Sequence, residues 1–171
     1  TDVPLVGDNF HLDVNGILEA ITDKTRLIFL TSPNNPTGTH IPKAQVSELI
    51  DKVPEHVVIV YDEVYFQFAD TDDYTTALPY VQAGKNVIAV NSFSKAYGLA
   101  GMRVGYAYST EKIARYVSNV RRPFMISTLG MDSAIAALDD TEHIEKTIAL
   151  IQSEKKFLYE QLDAVGVKYW K

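Results

Sequence analysis

The sequence predicts an α/β fold: a partial, mostly parallel sheet of about four strands, with helices packed on it and the last strand antiparallel. Three observations carry this. The runs at 27–31, 57–61 and 87–91 are almost purely apolar, as suits parallel strands buried on both faces. Helical periodicity alternates with the strand signals, as in βαβ units with right-handed crossovers. A fourth stretch, 103–109, alternates and holds two tyrosines, but only a short glycine-bearing segment separates it from the third run. That leaves no room for a helical crossover, so the strand turns back on its neighbour.

In chain order, the first helix is predicted over 14–22, with Asp13 as its cap and Ile17, Leu18 and Ile21 facing inward. The second carries Pro42 in its first turn and buries Val46, Leu49, Ile50 and Val53. Further helices are predicted at 111–121 and 128–138. A long one follows over 141–165, with Ile144, Ile148, Ile151, Leu158 and Leu162 on one stripe and Gly166 as its stop. Val167 to Lys171 reads as the start of a further strand. The chain opens at Thr1 without methionine, and both ends read as those of a piece of a longer protein.

At 171 residues the chain is long enough for one domain with a core of its own. The balance of 16 basic against 22 acidic residues, a net −6, argues against a general nucleic-acid binder. No apolar run approaches a membrane span, and no signal peptide opens the sequence, so a cytoplasmic enzyme is expected. There is no cysteine, which excludes disulfides and thiolate metal sites within it. The four histidines, at 11, 40, 56 and 143, lack ligand spacing, and Asp70 to Asp73 lacks the glycine and terminal glutamate of a calcium loop. No metal is expected.

All three parallel strands end in chemistry-bearing segments. Leu27–Leu30 runs into Thr31-Ser32-Pro33-Asn34-Asn35-Pro36-Thr37-Gly38, and Val57–Tyr61 into Asp62-Glu63-Val64-Tyr65. Val87–Val90 leads on to Ser92-Phe93-Ser94-Lys95. Ligands of open α/β sheets bind outside the carboxyl ends of the strands, so these ends read as parts of one divided site.

An ordinary lysine, with a pKa near 10.4, is neutral in roughly one molecule in two to three thousand at pH 7. To act as nucleophile or base, Lys95 needs desolvation, nearby positive charge or imine formation, and its place behind an apolar strand predicts burial. Its alternative is an exposed loop lysine. Asp62 follows five apolar residues, so its carboxylate calls for a positive partner such as a protonated ring nitrogen; a helix cap or salt bridge is the alternative. Tyr65 points a phenol at the same ligand or packs on Phe66 and Phe68, and Glu63 caps or pairs locally. Asn35 sits in a proline-stiffened turn that either places its amide or is a plain loop. Arg103 with Ser92 and Ser94 supplies a guanidinium fork and hydroxyl donors, the usual tools for a phosphate. The glycines at 98, 101 and 105 do not form a dinucleotide fingerprint.

Taken in series, Pro-Asn-Asn-Pro-Thr-Gly, Asp-Glu-x-Tyr, and Ser-x-Ser-Lys followed by Gly-x-Arg-x-Gly resemble the pyridoxal-phosphate enzymes of the aspartate-aminotransferase fold, fold type I. The likeness covers nearly the whole chain. It implies a three-layer αβα large domain whose core is residues 1–165, its N-terminal part missing, with 166–171 beginning a small domain. It implies pyridoxal 5'-phosphate as cofactor, Lys95 as the lysine that holds it through an imine and later carries the substrate's α-proton, and Asp62 as the partner of its ring nitrogen. Asn35 and Tyr65 would meet the ring hydroxyl, and Ser92, Ser94 and Arg103 the phosphate.

The partners implied are a small-molecule amino donor and a 2-oxo acid, with a homodimer in the full-length protein and no nucleic acid or membrane. Within the family, Arg121-Arg122-Pro123-Phe124 and Ala137 to His143 look most like histidinol-phosphate aminotransferases, which exchange an amino group between histidinol phosphate and 2-oxoglutarate. Aromatic aminotransferases, threonine-phosphate decarboxylases and carbon–sulfur lyases share much of the pattern, and a non-catalytic remnant acting as a structural module is the alternative of another kind. A typical member is about twice as long. Its glycine-containing phosphate loop, ring-stacking aromatic and substrate-carboxylate arginine would lie outside this chain, so the piece is expected to be inactive in transamination alone.

Overall fold

A computed structural model describes residues 1–170. The elements run α1 (Val14–Glu19), β1 (Leu27–Thr31), α2 (Lys43–Lys52), β2 (Val58–Asp62), α3 (Leu78–Gln82), β3 (Val87–Ser92), β4 (Gly105–Ser109), α4 (Glu111–Val120), α5 (Thr128–Asp139) and α6 (Thr141–Ala164). Short 3₁₀ turns occupy Phe66–Phe68 and Ala100–Met102. The chain divides into two compact units, Thr1–Asn91 with Tyr106–Pro123, and Ser92–Gly105 with the segment from Phe124 onward.

The sheet has the order β1-β2-β3-β4, the first three strands parallel and β4 antiparallel to β3, as the spacing predicts. In the first unit the register aligns Leu30 with Tyr61 and Ala89, and Ile59 with Val87. These side chains share the buried face with Val46, Leu49 and Ile50 of α2 and Val14 and Ile17 of α1. Each large apolar side chain so buried contributes about 1.5–3 kcal/mol. The other face differs from the expectation of strands covered on both sides. Phe29 is 72 % exposed and Leu27 52 %, because β1 buries the face that carries Leu30, packed with α1 and α2, and not the face that carries these two.

Asp13 caps α1, accepting from Gly16 N at 2.9 Å. The helix stops at Glu19, short of the predicted 22, since Thr22 and Thr25 form a separate turn in which Thr22 N donates to Thr25 Oγ1 at 2.9 Å. Ile21 therefore lies outside it. Pro42 is the N-cap of α2, with extended ψ of 138°, and stands just before the first turn where it was expected. The sequence reading did not foresee α3, a five-residue helix with proline at its start.

In the second unit, Ser127 caps α5 by accepting from Gly130 N at 3.0 Å, and Phe93, Ala96, Val104 and Ala134 are buried. Helix α6 is capped by Asp140, which accepts from His143 N at 3.0 Å. Gly166 ends it with φ 69°, a conformation that costs glycine little. The apolar stripe of α6 is not buried: Ile144, Ile148 and Leu162 are half-buried, while Leu158 is 53 % exposed. The strand expected after Val167 is also absent over 167–170. Tyr169 instead stacks on Tyr159 at 5.2 Å and donates to Asp163 Oδ1 at 3.0 Å; Lys171 lies outside the described residues.

Candidate functional site

In the first unit, the chain leaving β1 is bonded to its neighbours before it turns. Ser32 N donates to Asp62 O at 2.9 Å, Ser32 Oγ accepts from Ile41 N at 2.9 Å, and Tyr74 Oη donates to Ser32 O at 3.2 Å. The turn closes on itself through Asn34 N to Thr39 O at 2.7 Å and Asn34 Nδ2 to Thr37 Oγ1 at 2.7 Å. The Ser32-Pro33 and Asn35-Pro36 peptide bonds are cis. This leaves Asn35 at an exposed tip, where its Nδ2 donates to Tyr65 Oη at 2.9 Å. Two predicted residues 30 positions apart are thus brought together. Asp62, half-buried at the end of β2, aligns with Thr31 and Val90, and its Oδ1 accepts from Val64 N at 3.1 Å.

The second unit carries the other predicted residues. Ser94 N donates to Ser92 Oγ at 3.0 Å, and Arg103 Nη1 donates to Ser94 Oγ at 3.3 Å and to Ala100 O at 2.8 Å. Buried Phe93 pins the loop, its N donating to Val104 O and its O accepting from Leu99 N. Gly98, with φ 68°, closes the turn by donating to Lys95 O at 2.9 Å. Two expectations are corrected. Arg103 is not a strand residue but ends the 3₁₀ turn in the left-handed conformation, φ 54° and ψ 44°, with its guanidinium folded back on Ala100 and Ser94. Lys95 is exposed rather than buried, because Phe93 and Ala96 take the buried positions of the loop.

Glu63, expected to cap or pair locally, instead gathers partners distant in sequence, a cluster in the first unit that the sequence reading did not foresee. Glu63 is buried, and its carboxylate accepts from Ala77 N at 2.8 Å, from Asn91 Nδ2 at 2.9 Å and from the Tyr108 hydroxyl. A carboxylate held this way opposes the ionisation of nearby phenols and so raises their pKa. Burial foremost, then Glu63, pushes Tyr61 up to about 12. Tyr74 is raised by burial and by Tyr61 and Glu63, and Tyr108 by burial and its bond to Glu63. Among the described residues no group of three or more His, Cys, Asp or Glu could hold a metal ion, and no helix is long and apolar enough to cross a membrane.

The first unit thus carries a strand-end carboxylate and an amide–phenol pair, and the second a lysine loop with serine hydroxyls and a guanidinium. Residues 2–171 match the family model of aminotransferase class I and II, and the chain belongs to that family. It is 41 % identical over 169 residues to histidinol-phosphate aminotransferase 2 of Carboxydothermus hydrogenoformans, covering 98 % of this chain and 46 % of that protein. Among solved structures it is similar to histidinol-phosphate aminotransferase from Sinorhizobium meliloti in complex with pyridoxal-5'-phosphate, with TM-score 0.83 and 32 % identity over 94 % of this chain and 43 % of that one. A double mutant of Thermus thermophilus aspartate aminotransferase matches with TM-score 0.80 and 27 % identity, over 94 % of this chain and 44 % of that one. The chain spans about half the length of the curated relatives it matches.

Proposed function

We propose that this chain is the core of the cofactor-binding domain of a pyridoxal-phosphate-dependent aminotransferase, with residues 1–165 forming that core and 166–171 leading into a second domain. The observation that carries the reading is the donor set in the Lys95 loop: two serine hydroxyls and a guanidinium bonded to one of them, flanking an exposed amine. A dianionic phosphate ester and an aldehyde are the groups such a set suits.

The donor chemistry of the remaining residues fits the same molecule. Asp62 supplies a carboxylate for a protonated ring nitrogen, and the Asn35–Tyr65 pair supplies two donors for a ring oxygen. When bound, pyridoxal phosphate supplies an electron sink for the carbanion left by α-proton loss. The protein's residues do the rest: Ser92, Ser94 and Arg103 hold the phosphate, Asp62 keeps the ring nitrogen protonated, and the Lys95 amine moves the proton at the substrate's α-carbon.

The substrate pair we propose is histidinol phosphate and 2-oxoglutarate in a cytoplasmic homodimer. Support for histidinol phosphate comes from the names and identities of the relatives, since the motifs here serve the cofactor; the acceptor, the compartment and the homodimer rest on the resemblance stated above.

The test is reductive trapping. The chain is mixed with pyridoxal phosphate, reduced with borohydride and digested, and the adduct is mapped by mass spectrometry. Labelling is expected at Lys95 and to be lost in Lys95→Ala. Labelling spread over surface lysines, unchanged by that substitution, overturns the reading.

A further inference from the structure

Glu63 stands beside Asp62 in sequence and does different work. Strand alternation puts Asp62 on the face of Val58 and Val60, and Glu63 on the buried face of Ile59 and Tyr61. Glu63 is 1 % exposed, and each of its carboxylate oxygens is engaged. Oε2 accepts from the backbone N of Ala77, the residue that starts α3; Oε1 accepts from Asn91 Nδ2 on β3 and from the Tyr108 hydroxyl on β4. The partners lie 14, 28 and 45 positions away along the chain. All three are neutral donors, and Asn91 is itself only 4 % exposed.

Burying a carboxylate is costly unless hydrogen bonds replace its water, and a buried group so satisfied fixes the elements that satisfy it. Here the elements are the ends of β2 and β3 and the strand β4. Asp62 is the preceding residue on β2, and Asn91 is the residue from which the Ser92–Lys95 segment departs.

We propose that Glu63 is a positioning residue: one buried carboxylate that clamps β2, β3 and β4 and thereby fixes Asp62 and the root of the Lys95 segment. Its consequence for cofactor capture rests on the function proposed above; the clamp itself does not. Glutamine in its place keeps the volume but turns one acceptor oxygen into a donor, so one side of the clamp opens. The Tyr108 phenol, raised by burial and by this carboxylate, is then expected to ionise at lower pH.

The experiment compares the full chain with Glu63→Gln and with Val46→Ala, a core substitution away from the clamp. Amide exchange is followed by mass spectrometry without cofactor, and pyridoxal phosphate affinity by absorbance titration. In Glu63→Gln, exchange over 62–64 and 89–94 is expected to quicken tenfold or more beyond that over β1, and the pyridoxal phosphate Kd to rise about tenfold or more, as for a lost hydrogen bond to a charged group. Val46→Ala is expected to leave the Kd within about twofold, since it lowers stability without loosening the strand ends.

Exchange in Glu63→Gln equal to wild type, or binding lost equally in Val46→Ala, overturns the proposal. If Glu63→Gln does not fold, Tyr108→Phe removes a single donor and is expected to show the same local pattern at smaller amplitude; wild-type exchange there overturns it equally. A wild-type chain that captures no pyridoxal phosphate defeats the proposed function, while the exchange comparison still decides the clamp.

Discussion

Replacing Arg103 with glycine separates the architecture of the loop from its chemistry. Arg103 has φ 54° and ψ 44°, and the left-handed conformation costs an L-residue about 1–2 kcal/mol that glycine does not incur. Against that relief, glycine makes the unfolded chain freer by about 0.4–1 kcal/mol. The bonds from Nη1 to Ala100 O at 2.8 Å and Ser94 Oγ at 3.3 Å are also lost, but they join an exposed side chain that water can serve instead. The sum is a stability within about 1 kcal/mol of wild type. Phosphate binding moves far more, because a hydrogen bond to a charged group is worth about 1.5–3 kcal/mol, or about 10- to 150-fold in Kd. Denaturant titration measures the first quantity, and pyridoxal phosphate titration with inorganic phosphate as competitor measures the second. Arg103→Lys keeps the charge without the fork and is expected to fall between. Binding within about twofold of wild type in Arg103→Gly refutes a phosphate role for the guanidinium. A loss of several kcal/mol of stability refutes the strain argument.

Three further outcomes are expected. Leu49 is fully buried between α2 and the sheet, so Leu49→Ala should cost about 2–5 kcal/mol by denaturant titration, with the spectrum of any bound cofactor unchanged. A Cβ at Gly130 would sit 2.9 Å from Val104 Cγ2 and 3.0 Å from Met102 O, so Gly130→Ala should lower the melting temperature even though alanine favours helix. Gly101→Ala, which meets nothing within 4 Å, should leave it nearly unchanged. Tyr61 ionises near 10.0 when unfolded but at about 12 when folded, so the folded state holds the extra proton between those values. Stability is full below pH 10 and falls by about 2–3 kcal/mol as pH climbs towards 12; Tyr61→Phe should flatten that part of the alkaline limb in denaturation curves taken at several pH values.

Much of the fold was legible because its signals are local. Apolar runs placed the first three strands and alternation the fourth, all within two residues, and the short span between Lys95 and Gly105 was enough to turn β4 antiparallel. Caps were legible for the same reason: Asp13 accepts from the backbone N of Gly16 and Gly166 N donates to the carbonyl of Asp163, each three residues away. What escaped depends on competition between a local preference and something distant. The alternation of 103–109 predicted a strand from Arg103, but the backbone bond from Phe93 to Val104 and the guanidinium's turn onto Ala100 hold Arg103 in a left-handed cap. The proline in the first turn of α3 reads equally as loop, and only the buried carboxylate receiving Ala77 N shows why the helix begins there.

Asp62 and Glu63 show where the boundary of legibility runs. A carboxylate after five apolar residues announces a functional position, because burying it unpaired is too costly for chance to leave it there. That reasoning identifies the pair and assigns the conspicuous role to one member, yet it cannot say which carboxylate the sheet turns inward. Strand alternation decides that, and register then decides what the inward one meets: β2 against β3 brings Asn91 to it, and β4 running back brings Tyr108. None of these partners is predictable from spacing, since the separations of 28 and 45 residues are set by the lengths of intervening loops and helices. A site residue that touches a ligand leaves a mark in its immediate sequence. One that holds the strands beneath the ligand leaves its mark in topology, and it becomes visible only when the strands are laid side by side.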